Sequence, residues 1–82
     1  MKELVSIYVP AVGLKYDILV PDDVRIKNII SLVAGAVENL SNHKYVVYGE
    51  EYLYSAEKGI LLRPNATLEK YGIQNGDHLV MM

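Results

Sequence analysis

Ile26-Lys27-Asn28-Ile29-Ile30-Ser31-Leu32-Val33-Ala34-Gly35-Ala36-Val37-Glu38-Asn39-Leu40 is the stretch that decides the fold. Ile26, Ile30, Val33 and Val37 recur at helical spacing on one face, flanked by Ile29, Ala36 and Leu40. Lys27, Asn28, Ser31, Gly35 and Glu38 lie on or near the other side. The period predicts one amphipathic helix laid on a sheet. Burying its four central side chains is worth ~6–12 kcal/mol before chain entropy is subtracted. Gly35 weakens the helix by ~1 kcal/mol relative to Ala, with no evident gain. Asp22 and Asp23 stand just ahead of the helix and are expected to cap it, because carboxylates accept from its free N–H groups. Ser41, Asn42 and His43 end it in loop chemistry.

Before the helix, Val5, Ile7 and Val9 alternate with Ser6 and Tyr8, a half-buried strand over Leu4 to Val9. Residues 10–13 break it. Leu14, Tyr16, Ile18 and Val20 then alternate with Lys15, Asp17 and Leu19, a second strand paired with the first as a hairpin and stopped by Pro21. After the helix, Tyr45 to Ser55 is rich in β-formers and is expected to form one strand bulged near Gly49; the alternative places a tight turn at Gly49-Glu50-Glu51. Ala56 to Gly59 is a hairpin turn, and Ile60 to Leu62 a short return strand. Residues 67–71 have room for about one helical turn. Asn75-Gly76-Asp77 is a turn, since Gly accepts positive φ. The last strand sets Leu79 and Met81 on one side and His78, Val80 and Met82 on the other. A right-handed crossover would bring it parallel to the first strand in mid-sheet. The fold class is α+β: a mixed sheet of four to five strands, with one main helix packed on one face.

The chain has 82 residues, enough for one domain spanning 1–82, and 51% of them are hydrophobic, enough to fill one core. No Cys, Phe or Trp is present, so Tyr supplies all the aromatic area. Disulfides, thiol catalysis and Cys-ligated metal centres are excluded. The formal net charge of −2, without a basic patch, argues against nucleic acid as a partner. No apolar run approaches the ~20 residues of a membrane span, and no apolar signal segment follows Met1-Lys2-Glu3, so direct membrane insertion is not expected. The expectation is a soluble, intracellular protein, unless the chain was cut from a larger membrane protein.

Several segments carry a family resemblance. Asn65-Ala66-Thr67-Leu68-Glu69-Lys70-Tyr71-Gly72-Ile73-Gln74 resembles the stretch before ubiquitin's last strand, and Val20-Pro21-Asp22-Asp23 resembles ubiquitin's strand-to-helix joint. A closer resemblance is to the YukD/EsaB family of bacterial ubiquitin-like proteins associated with type VII (WXG100-type) secretion. It is carried by residues 16–21 followed by 26–30 and 32–33, by Lys58-Gly59-Ile60-Leu61-Leu62, and by residues 71–79. These cover most of the chain and depart from the family between Leu40 and Glu51, where this chain is a few residues longer. The resemblance implies a ubiquitin-like β-grasp fold. It also implies a cytoplasmic accessory or regulatory role, peripheral at a membrane secretion complex, with components of a type VII secretion machine as partners.

No residue set points to catalysis, and neither an enzymatic activity nor a cofactor is expected. His43 and His78 belong to no metal-ligand pattern, and the serines lack a nucleophile-elbow context. Glu50-Glu51 is expected to be a solvated turn or bulge. Conjugation in the manner of ubiquitin needs a flexible tail ending in Gly-Gly, whereas the sequence stops at Leu79-Val80-Met81-Met82 in strand pattern. The expectation is therefore a protein that is neither conjugated nor used as a sulfur carrier.

A binding surface remains. By alternation, the sheet face opposite the helix carries Tyr8, Leu19, Tyr52, Tyr54, His78, Val80 and Met82. Exposed apolar patches mark partner sites, and Tyr is common at binding hot spots. Against this, single exposed apolar residues are ordinary, and some tyrosines serve a core that lacks Phe and Trp. The leading expectation is a protein-interaction module. A self-associating structural protein, down to a weak homodimer, is the alternative, and a ubiquitin-like modifier or sulfur carrier comes third.

Overall fold

The computed structural model describes residues 1–82. The elements run β1 (Lys2–Val9), β2 (Leu14–Pro21), α1 (Ile26–Leu40), β3 (Leu53–Ser55), β4 (Ile60–Leu61), a 3-10 turn (Glu69–Tyr71) and β5 (His78–Met81). The sheet order is β2-β1-β5-β3-β4. β1 pairs antiparallel with β2 and parallel with β5, so the last strand lies in mid-sheet beside the first, as a crossover connection predicts.

Period-two alternation turns this topology into a two-sided sheet. Val5, Ile7 and Val9 of β1, Val20 of β2, Leu53 of β3, and Leu79 and Met81 of β5 face one side and are buried. Ile26, Ile29, Ile30, Val33, Ala34 and Val37 of α1 meet them there. The helix stripe is displaced slightly from its expected line: Ala34 is buried, whereas Leu40 is 64% exposed. Leu62, Leu68 and Ile73 close the core beneath the second half of the chain.

The 3-10 turn ends at Gly72, whose φ of +67° is the left-handed conformation that glycine reaches without strain. This reversal lets the Gly72 N–H donate to the Glu69 carbonyl, while the Ile73 N–H donates to the Leu68 carbonyl. The following turn is fixed to β1. Asn75 Oδ1 accepts the Leu4 N–H at 2.6 Å, and the Gly76 N–H donates to the Leu4 carbonyl at 2.8 Å.

Two expectations are corrected. Asp22 and Asp23 do not cap α1: the N-cap residue is Arg25, with no side-chain cap. The free N–H groups of Ile26 and Lys27 donate instead to the carbonyls of Ala66 and Pro64, at 2.8 and 2.9 Å. A distant segment thus does the work of a local cap, and Asp22 pairs with the Met1 amine at 3.1 Å. Nor is Tyr45 to Ser55 one bulged strand, for only Leu53–Ser55 is. Upstream, the backbone has side-chain oxygens rather than a neighbouring strand as partners. Ser41 Oγ accepts from the Tyr45 N–H, Glu38 Oε1 from Val47, and Glu51 from Tyr48 and Gly49.

Candidate functional site

The outward side chains of the sheet are ordered by the strand register. Tyr8 lies opposite Val80, Val80 opposite Tyr54, and Tyr54 opposite Leu61. Lys15 completes this row from β2, opposite Tyr8. One row thus crosses all five strands, with four apolar side chains ending on a cation. Cross-strand neighbours stand ~5 Å apart, so the row is continuous. Tyr52 and Met82 extend it on one side and exchange backbone hydrogen bonds of 2.7 and 3.0 Å. Tyr8, Tyr52, Leu61 and Met82 are exposed, and Tyr54 and Val80 are partly covered by their neighbours.

A second row, Asp17–Ser6–His78, is polar. It separates the apolar row from Leu19, which pairs with exposed Leu4 near the far end of the hairpin. Of the seven surface residues expected from alternation, Tyr8, Tyr52, Tyr54, Val80 and Met82 come together. His78 borders them, and Leu19 stands apart. Leu61 joins them, which alternation within single strands does not predict. The signal for it was the Ala56–Gly59 turn, which fixes the pairing of Leu61 with Tyr54. Between the two rows lies a shallow hollow of about 260 Å³, bordered by Ser6, Tyr8, Lys15, Ala56, His78 and Val80.

Glu57, outside the lining of this hollow, fixes His78 at its edge. Its carboxylate accepts the His78 backbone N–H at 2.9 and 3.1 Å and meets His78 Nδ1 at 2.6 Å, so Nδ1 carries the proton. The hydrogen bond from the His78 ring, followed by that from its backbone, holds the Glu57 carboxyl below the ordinary carboxylate range. The clamp ties the β3–β4 turn to the start of β5, and the Ala56 N–H adds a bond of 3.0 Å to the His78 carbonyl. His78 therefore acts as a fastening at the edge of the surface.

Glu51 is not solvated, contrary to expectation. It is 7% exposed, and Oε2 accepts the hydroxyl of Tyr45, itself 5% exposed, at 2.8 Å. Burial alone would raise its carboxyl. The combined hydrogen bonds from the Tyr48 N–H, the Tyr45 O–H and the Gly49 N–H outweigh that and lower it. The same burial, followed by the bond to Glu51, raises the Tyr45 hydroxyl well above its ordinary value. Both groups are engaged in shaping the 45–51 segment. No three His, Asp or Glu side chains gather as a metal site would require. No helix is long and apolar enough to cross a membrane.

Comparison with solved structures places the fold among ubiquitin-like domains. A ubiquitin-like domain of an Arabidopsis thaliana protein superposes with a TM-score of 0.74 at 21% identity, over 99% of this chain and 76% of that one. The ubiquitin-like domain of Plasmodium falciparum Dsk2 gives 0.71 at 22% identity over 100% of both chains. Ubiquitin from Caldiarchaeum subterraneum gives 0.73 at 20%, over 99% of this chain and 91% of that one. At these identities the likeness establishes the ubiquitin-like β-grasp fold alone. Comparison with curated proteins finds no match. The model of one family, described as "WXG100 protein secretion system (Wss), protein YukD", matches residues 4–81, and the chain belongs to that family.

Proposed function

We propose that this protein is a non-catalytic interaction module, an accessory or regulatory component of a type VII (WXG100-type) secretion system. It works as a single unit by docking its outer sheet face on a protein component at the cytoplasmic side of the machine. The observation that carries this reading is the apolar row Tyr8–Val80–Tyr54–Leu61, flanked by Tyr52 and Met82, in a chain of the WXG100 secretion family. A face with three tyrosines exceeds what solvation alone requires and has the composition of a binding hot spot. The engagement of Glu51 with Tyr45 and of Glu57 with His78 supports binding over catalysis, since both carboxylates serve the local architecture.

Deleting the gene and measuring export of WXG100 substrates tests the role. Export or machine assembly is expected to fall and to recover on complementation. Unchanged export together with unchanged assembly would refute it. In this reading the protein acts unconjugated, so mass spectrometry of the protein from cells should show no covalent protein adduct, and a stable adduct would contradict that part.

A further inference from the structure

The two edges of the sheet are unequal. β4 is two residues long, whereas β2 presents eight residues at the other end of the sheet order. The Ser6 N–H donates to Asp77, and the Leu4 carbonyl accepts from Gly76, so even-numbered residues of β1 turn their backbone toward β5. Odd-numbered residues of β1 therefore bond to β2. Through the pairs Val5–Ile18 and Ile7–Tyr16, they engage the even-numbered residues of β2. The backbone N–H and C=O groups of Lys15, Asp17 and Leu19 are left pointing off the sheet. An open edge of this length is a template for another strand.

We propose that a second copy of this chain occupies it, β2 against β2 in antiparallel two-fold pairing. Charge complementarity selects the register. With Tyr16 on the two-fold axis, Lys15 stands opposite the second copy's Asp17, and Asp17 opposite its Lys15. These are hydrogen-bonding positions on both strands, so the free backbone groups of Lys15 and Asp17 interlock, while Leu19 falls opposite Gly13 of the hairpin turn. The neighbouring registers set Lys15 against itself or Asp17 against itself. In the chosen register Leu14, 52% exposed, also faces the second copy's Ile18. The two five-stranded sheets join into one, and the two-fold axis stands perpendicular to it. Both apolar rows then lie on the same side, giving a bivalent docking surface. This interface leaves Tyr54, Val80 and Leu61 untouched, so it stands or falls separately from the docking role.

Sedimentation equilibrium from micromolar to millimolar protein tests the pairing. The wild type is expected to show a concentration-dependent monomer–dimer equilibrium. Lys15→Asp or Asp17→Lys alone sets like charges opposite each other twice and should weaken it at least about tenfold. An equimolar mixture of the two variants should regain association, as should the double variant K15D/D17K, which restores both opposite-charge pairs. A monomeric wild type at every concentration would overturn the proposal. So would single variants that dimerise as tightly as wild type, or a mixture no tighter than its components.

Discussion

The Tyr45 hydroxyl donates to Glu51 Oε2 at 2.8 Å, and both residues are buried at the point where the chain leaves the helix and returns to the sheet. The same carboxylate accepts the backbone N–H groups of Tyr48 and Gly49 at 3.0 and 3.2 Å. One side chain thereby substitutes for a neighbouring strand along a segment whose composition favours one. Gly49 fits this arrangement because its φ of +85° brings its N–H toward the carboxylate, a conformation that side chains rarely adopt.

Removing either partner should be costly, because what remains is a buried polar group short of a bond. Glu51→Gln and Tyr45→Phe are each expected to destabilise the fold by roughly 1–3 kcal/mol. Glu51→Gln should do the greater damage, since it weakens three interactions and Tyr45→Phe removes one. Urea denaturation midpoints measure this; midpoints within error of wild type for both variants would remove the pair from the account.

The pair also predicts a pH dependence with two limbs. The Glu51 carboxyl is lower in the folded chain than its ordinary 4.5, so the unfolded chain takes up that proton more readily. Its contribution is fully present above 4.5 and is lost as pH falls through the folded value. The Tyr45 hydroxyl is raised in the folded chain, so its contribution is present below the ordinary 10 and is lost as pH rises beyond it. Thermal melts across pH should show both declines, with the acid decline shallower in Glu51→Gln and the alkaline one shallower in Tyr45→Phe. Parallel wild-type and variant profiles would contradict the assignment.

Gly35 sits in the middle of α1, and a Cβ built there meets nothing within 4 Å. The position is ordinary helix, so glycine contributes only flexibility to the unfolded chain. Gly35→Ala should therefore stabilise the protein by about 0.5–1 kcal/mol. A lower melting temperature for this variant would mean that the glycine has a packing role the geometry does not contain.

Local pattern made much of this molecule legible. Alternation in residues 4–9 and 14–20 located the hairpin, and the apolar stripe located α1 to its last residue. Leu68, Tyr71 and Ile73 marked the segment leading to β5. Pattern failed where a backbone group takes a partner that no local rule supplies. The helix N-terminus is satisfied by the Ala66 and Pro64 carbonyls, which no local cap rule anticipates. Tyr45 to Tyr48 has real β-preference, but a strand needs a neighbour, and Ser41, Glu38 and Glu51 took that place. On the surface, alternation identified which side chains turn outward, but only the register showed that Leu61 joins Tyr54 while Leu19 is set apart.

In the proposed function, the protein serves secretion through its outer sheet face. The most direct measurement is export of WXG100 substrates from a deletion strain complemented with Tyr54→Ala combined with Leu61→Ser. Both positions face outward and neither belongs to the buried core, so the variant should fold, and its circular dichroism and melting curve verify this. The folded variant, present at wild-type levels, should fail to restore export, while a Leu32→Ser control on the exposed side of α1 restores it. Full export with the sheet-face variant would rule out docking through this face.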